Sequence, residues 1–231
     1  MGRTRAAPLL AGARARRSLL LHLARPLLYP RFESVVEHWD ALRALSQQGT
    51  VELAIAGRPS PVSLRDALRA IHAEVWRFNA ATRSHVDATT ASLDLPERYA
   101  ALHIRRGDKS IDLPHCAEET YIERLEHVSA LTDVYVFTDD YDCIDTVRRL
   151  RPQWRVWSLC PEQMHGYVHR QFIRRPRQEI AEATMRLLAE MEILRAAQVF
   201  VGTFSSGPGE YQGIARANHT YGVDYEDWLI T

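Results

Sequence analysis

Lysine is almost missing from this sequence: of 29 basic residues, 28 are Arg and one, Lys109, is Lys. An ammonium is a compact point charge that the planar guanidinium fork does not imitate, so the one position that keeps it is informative. Cysteine is scarce as well. Cys116, Cys143 and Cys160 form an odd set with no CxxC pair, which supports neither a zinc site nor a disulfide framework. Glycine and proline number 11 each in 231 residues, which excludes collagenous and low-complexity chains. The apolar run Ser18 to Tyr29 has only twelve residues, broken by His22, Arg25 and Pro26, too short for a membrane span. An excess of one charge is missing too. Twenty-nine cations face 29 anions, which argues against a chain that gathers nucleic acid by bulk electrostatics. Apolar residues at 46% and charged ones at 25% leave a globular protein with enough chain for a sizeable core.

The balance of charge conceals a split. Residues 1–32 carry seven Arg and no acid, so the remainder has a net charge of −7. This leader reads as a transit-type peptide, a poor signal anchor or a domain edge. Asn218-His219-Thr220 matches the glycosylation acceptor pattern.

Residues 33–96 read as a partial α/β region. Helical spacing runs from Glu33 to about Gln48, and a strand pattern from Val51 to Ala56. Ser63 is placed to cap a helix carrying Leu64, Leu68, Ile71, Val75 and Trp76. Residues 85–97 are polar and read as a connector. From 97 to 231 strands and helices alternate. The pattern predicts strands at 99–104, 134–138, 155–159 and 199–202. Helices are expected at 117–131, 141–150, 177–197 and near 209–217. Such alternation implies a Rossmann-like parallel sheet with helices on both faces. Ligands of these sheets sit beyond the carboxyl ends of the strands.

Three strand ends carry chemistry. His103-Ile-Arg105-Arg106-Gly-Asp108-Lys109 gathers three cations and an acid at the rim. An anion is their simplest partner, with one Arg forking onto a diphosphate and the other pairing with Asp108. Phe137-Thr138-Asp139-Asp140 sets two carboxylates after a buried strand. One of them suits the N-cap of the next helix; paired acids also bind metals or orient cations. Val201-Gly-Thr203-Phe204-Ser205-Ser206-Gly207 brings hydroxyls and glycines to a helix start, where free N–H groups and the helix dipole favour phosphate.

In this order, HIRRGDK, FTDD and VFVGTFSSG resemble the three motif regions of GDP-fucose-dependent fucosyltransferases. The α1,6-type, which modifies N-glycan cores or chitin oligosaccharides, is the nearest in pattern; α1,2- and protein O-fucosyltransferases are its relatives. The likeness covers about residues 97–218. It implies an inverting, metal-independent transfer from GDP-fucose to a glycan or protein-linked sugar. It also implies that 97–231 corresponds to the nucleotide-binding C-terminal half of a GT-B glycosyltransferase. By the resemblance, Arg105 and Ser206 meet the β-phosphate, and Thr203, Phe204 and Ser205 line the same loop. His103 lies by the guanine and ribose, and Glu190 pairs with the guanine edge, where the family more often has Asp. Lys109 meets the leaving diphosphate. The family's base is a Glu where this chain has Leu113; Asp112, nine residues before Tyr121, keeps the spacing from base to tyrosine. Arg106, Tyr121 and Asp140 complete the expected substrate site, with Asp139 and Asp140 as scaffold for the arginines. No cofactor and no metal are expected.

The family's glycine-rich N-terminal loop has no counterpart in residues 1–96. A GDP-sugar or glycan-binding relative without transfer, and an unrelated phosphate-binding α/β protein, are the alternatives. The expected partners are GDP-fucose and a glycan acceptor, not nucleic acid. Eukaryotic members of the family work in the Golgi lumen on protein glycosylation and bacterial ones in the cytosol.

Overall fold

The alternation read from residue 99 onward becomes one parallel sheet. The computed structural model describes residues 50–51, 62–111, 114–216 and 219–224, with side chains from 66 onward except at 111. The leader, the helix expected at 33–48, most of the 51–56 strand, Asp112, Leu113 and Asn218 lie outside these residues.

Strands β1 (Thr50–Val51) and β2 (Val62–Ser63) form a short antiparallel pair, and helix α1 (Leu64–Val75) starts directly after Ser63. Helix α2 (Ala80–Ala91) overturns the connector expected across 85–97. Its Thr-rich sequence is a poor helix former. Two tertiary features outweigh that: Asn79 caps it by accepting the Thr82 N–H at 2.8 Å, and Val86 is buried as α2 packs along α6 (Arg177–Ala196).

The sheet itself contains β3 (Ala100–Ile104), β4 (Asp133–Thr138), β5 (Arg155–Trp157), β6 (Val199–Gly202) and β7 (Thr220–Gly222). Their spatial order is β5-β4-β3-β6-β7, all parallel. Strand β5 stops two residues short of expectation because the Ser158 hydroxyl donates to Val136 O at 2.7 Å and closes the edge. Strand β7, only three residues long, was not foreseen. The crossovers are α3 (Glu118–Val128), α4 (Tyr141–Leu150), α5 (His169–Phe172) with α6, and α7 (Gly207–Ala215).

Strand alternation sorts the core into two layers. Leu102, Ile104, Val134, Val136 and Val201 point to the face covered by α3 and α4, against Ile122, Leu125, Ile144 and Val147. Ala101, Tyr135 and Phe200 point to the face of α6, against Met191, Ile193, Leu194 and Phe204. The order fixes where a ligand belongs. From β3 the chain winds one way through β4 and β5, then returns to the other side of β3 with β6 and β7. Strands β3 and β6 therefore flank the topological switch point, whose crevice opens beyond their carboxyl ends. No helix among the described residues is long and apolar enough to cross a membrane.

Candidate functional site

Beyond β3 the alternation continues for two residues and separates the two arginines. Arg106 turns to the α3 face, where Nη2 donates to Glu118 at 2.6 Å and the side chain is buried. Arg105 turns to the other side and stays at the crevice, its side chain 15% exposed. Of the pair, Arg105 is thus the one that meets Asp108, at 2.6 Å. It also donates to Asp139 and to Arg106 O, and lies 5.2 Å from the Tyr167 ring centroid. A guanidinium has five donors, more than these three acceptors take up.

Asp139 is the centre of this arrangement. Its carboxylate accepts the Arg106 N–H and the Tyr167 N–H, both at 2.7 Å, besides the Arg105 guanidinium. Its carbonyl accepts the Gly166 N–H at 2.7 Å. Asp140, by contrast, caps α4 by accepting the Asp142 N–H at 3.3 Å, which divides the two roles left open for the acidic pair. The loop after β3 and the loop around 166 come so close that a Cβ on Gly107, at φ +55°, would stand 2.2 Å from Tyr167 O; Gly166, at φ +91°, faces it. Lys109 lies in the 3-10 turn Gly107–Ile111, and its N–H donates to Arg106 O at 3.3 Å.

Across the switch point, Thr203 ties the two strand ends together. Its N–H and its hydroxyl both reach His103 O, at 3.1 and 3.2 Å. With its only proton spent there, its oxygen accepts from the Arg105 N–H at 3.3 Å and from the Tyr121 hydroxyl at 2.7 Å. Ser206 donates from Oγ to Thr203 O at 3.0 Å. Thr203 thus takes the Arg105 backbone N–H on its side chain and, from its own loop, the Ser206 hydroxyl on its carbonyl. Tyr121 is buried there, its hydroxyl pushed up to about 12 by desolvation, so it holds Thr203 in place.

The second loop departs from expectation in one respect. The N–H groups of Phe204 and Ser205 are not open: the Asp224 carboxylate accepts both, at 2.7 and 2.9 Å. Phe204 itself is fully buried, its ring stacked with Phe200. Ser206 and Gly207, at the start of α7, carry N–H groups that a helix beginning leaves without an intrahelical acceptor. Asp224 follows the short strand β7, and no local pattern in the sequence connected it to a loop twenty residues away.

On the α6 face, below the crevice, lie His103 and Glu190. His103 is 1% exposed and stacked on Phe137, with Nδ1 unpartnered among the described residues. Burial, and the Arg105 charge after it, lower its pKa to about 3, so the ring is neutral. Glu190 is 4% exposed, which removes the possibility of an ordinary surface acid. Tyr135 donates to it at 3.1 Å, and burial raises its carboxyl to about 8.

For a cation, the described residues offer Asp140, Asp142 and His165, whose ligand atoms lie within 4.8 Å of one another. They are half-buried to exposed and stand at the start of α4, where the helix dipole disfavours positive charge. Asp112, the expected base, lies outside the described residues.

No family model and no curated protein matches the chain. Among solved structures it is similar to NodZ alpha-1,6-fucosyltransferase soaked with GDP-fucose, at 17% identity and TM-score 0.47 over 77% of this chain and 57% of that one. The same enzyme co-crystallised with GDP gives 15% and 0.43 over 75% and 55%. Fucosyltransferase NodZ from Bradyrhizobium gives 16% and 0.40 over 58% and 41%. The chain thus spans about half the length of these proteins, and a likeness at this level assigns no role to any residue.

Proposed function

We propose that this chain binds a guanosine diphosphate sugar at the β3–β6 switch point and transfers fucose from it to a glycan hydroxyl. The observation that carries the reading is that Thr203 joins the two loops at the carboxyl ends of adjacent parallel strands, binding the Arg105 backbone N–H, the His103 carbonyl and the Ser206 hydroxyl. A guanidinium and a helix start then stand on neighbouring loops beyond the sheet, and these are groups that a diphosphate needs.

In this reading the diphosphate lies between Arg105 and the N–H groups of Ser206 and Gly207, and the base extends toward Glu190. Guanine presents two parallel donors, N1–H and N2–H, which a carboxylate accepts together. Burial pushes Glu190 up to about 8 despite its bond from Tyr135; such a donor pair favours its ionised form and draws the proton off. During transfer the acceptor oxygen forms a bond to the sugar's anomeric carbon while the bond from that carbon to the β-phosphate oxygen breaks. Asp112 takes the acceptor's proton, and Arg105 and Lys109 meet the charge that grows on the departing GDP.

The test is calorimetry of the purified chain with GDP, ADP, UDP and GDP-fucose, followed by GDP release in the presence of glycan acceptors. GDP binding at least tenfold tighter than ADP, with GDP release, supports the proposal. Equal affinity for ADP and GDP returns the chain to a general phosphate-binding protein. GDP binding without release favours a binding module. The variant Asp112→Asn is expected to lose transfer and keep GDP affinity.

A further inference from the structure

The acidic body of the chain pairs its arginines freely. Arg105, Arg106, Arg151, Arg155 and Arg195 each meet a carboxylate. One segment gathers arginines with no such partner. Between Glu162 and Glu179 there is no acid, and Arg170, Arg174, Arg175 and Arg177 follow one another within eight residues. All four are exposed, and none forms an ion pair among the described residues.

Folding does not account for them. Arg174, Arg175 and Arg177 surround the N-terminus of the 20-residue α6, where Pro176 provides no side-chain cap. Cations at that end of a helix oppose its dipole. An arrangement that works against the helix, in a protein with acids to spare, is explained by a partner that brings its own negative charge.

Its position and texture narrow the partner. The His169 N–H donates to the Asp108 carboxylate at 2.8 Å, and Asp108 pairs with Arg105. The basic segment therefore begins one residue from the rim of the proposed donor site. Apolar surface is interleaved with the charges: the Tyr167 and Phe172 rings stand 5.3 Å apart, and Ile173 is 56% exposed. Sugar rings present C–H faces to aromatic surfaces, while carboxylate or sulfate substituents match the guanidinium fork.

We infer that residues 167–177 form the acceptor side of the site and take an acidic oligosaccharide; this deepens the proposed transfer and rests on it. A bilayer would use Ile173 as a wedge but has no use for the link to Asp108. A nucleic acid, longer than the segment, would run on over the acidic body and be repelled there.

The experiment measures binding of the full chain to tetragalacturonate, neutral chitotetraose, a single-stranded oligonucleotide and phosphatidylserine vesicles, for the native chain and for Arg174→Gln/Arg175→Gln. Arg170→Gln/Arg177→Gln serves as a second variant. The expected result is tetragalacturonate binding at least tenfold tighter than chitotetraose, weakened at least tenfold in either variant, with GDP affinity unchanged. Equal binding of the two sugars, indifference to both variants, or tighter binding of vesicles or oligonucleotide overturns the inference. GDP binding without tetragalacturonate binding overturns it alone. Tetragalacturonate binding without GDP binding overturns the transfer reading, and the acceptor role falls with it.

Discussion

The two faces of the sheet are built from alternate residues of the same strands, yet they are different materials. The face under α3 and α4 is mainly aliphatic, with Leu102, Ile104, Val134, Val136 and Val201 against Leu125 and Ile144, and its polar groups Arg106, Glu118 and Tyr121 gather near the rim. The face under α6 is aromatic and polar. It buries His103, Glu190, Gln212 and Arg216, together with the Tyr99 and Tyr135 hydroxyls. Desolvating such groups costs free energy unless each finds a partner. Most do: Gln212 donates to Met191 O at 3.0 Å, and Arg216 to the carbonyls of Leu194, Arg195 and Ala197. Among the described residues, His103 Nδ1 and Gln212 Oε1 do not. One face supplies stability; the other gives some of it up to hold titratable groups beneath the crevice.

That contrast can be broken from the aliphatic side first. Leu125→Ala leaves a cavity and is expected to cost about 2–5 kcal/mol, lowering the melting temperature by roughly 5–15 °C. GDP affinity of the folded fraction should not change. A large loss of affinity would mean that the two faces are not separable.

The polar face should instead reveal itself through pH. Glu190 is raised from 4.5 to about 8, so between those values the folded chain keeps a proton that the unfolded chain has released. Stability then falls as pH rises through that window. His103 is lowered from 6.5 to about 3. The folded chain refuses a proton that the unfolded chain accepts, and stability falls as pH drops through that window. Glu190→Gln is expected to flatten the alkaline limb, a gain on the order of a few kcal/mol at pH 8.5, and to lower the preference for GDP over ADP about tenfold. Melting curves from pH 5 to 9 and a nucleotide titration read both effects.

Thr203→Val sharpens the comparison at the junction. It removes the oxygen shared by Arg105, Tyr121 and the β3 carbonyl and is expected to cost about 1–3 kcal/mol. GDP binding should weaken more than the fall in stability alone explains. The smallest expected effect belongs to Asp224→Asn. One of the two N–H groups loses its acceptor, so the melting temperature should fall by about 2–4 °C, while removal of a negative charge beside the helix start should tighten GDP binding about threefold.

Much of this was legible beforehand where a pattern is local. The strands at 100–104 and 199–202 and the helix at 141–150 follow from apolar periodicity, because each buries a repeating set of side chains. Helix α2 was misread, since its Thr-rich sequence has little helical signal and is held by Asn79 and by α6. At the site, the loop residues could be named, but not their partners. Which arginine faces the crevice depends on how far the β3 alternation runs past its last hydrogen bond.

The sequence by itself determined an α/β chain, the positions of its strand ends and the residue types gathered there, because backbone geometry ties side-chain period to element type. Only the tertiary structure decided that β3 and β6 are neighbours, that Thr203 ties the two loops together, and that Asp224 accepts two of the N–H groups expected to be free. Strand order and long-range hydrogen bonds depend on how helices cover the two faces, and no window of neighbouring residues encodes that.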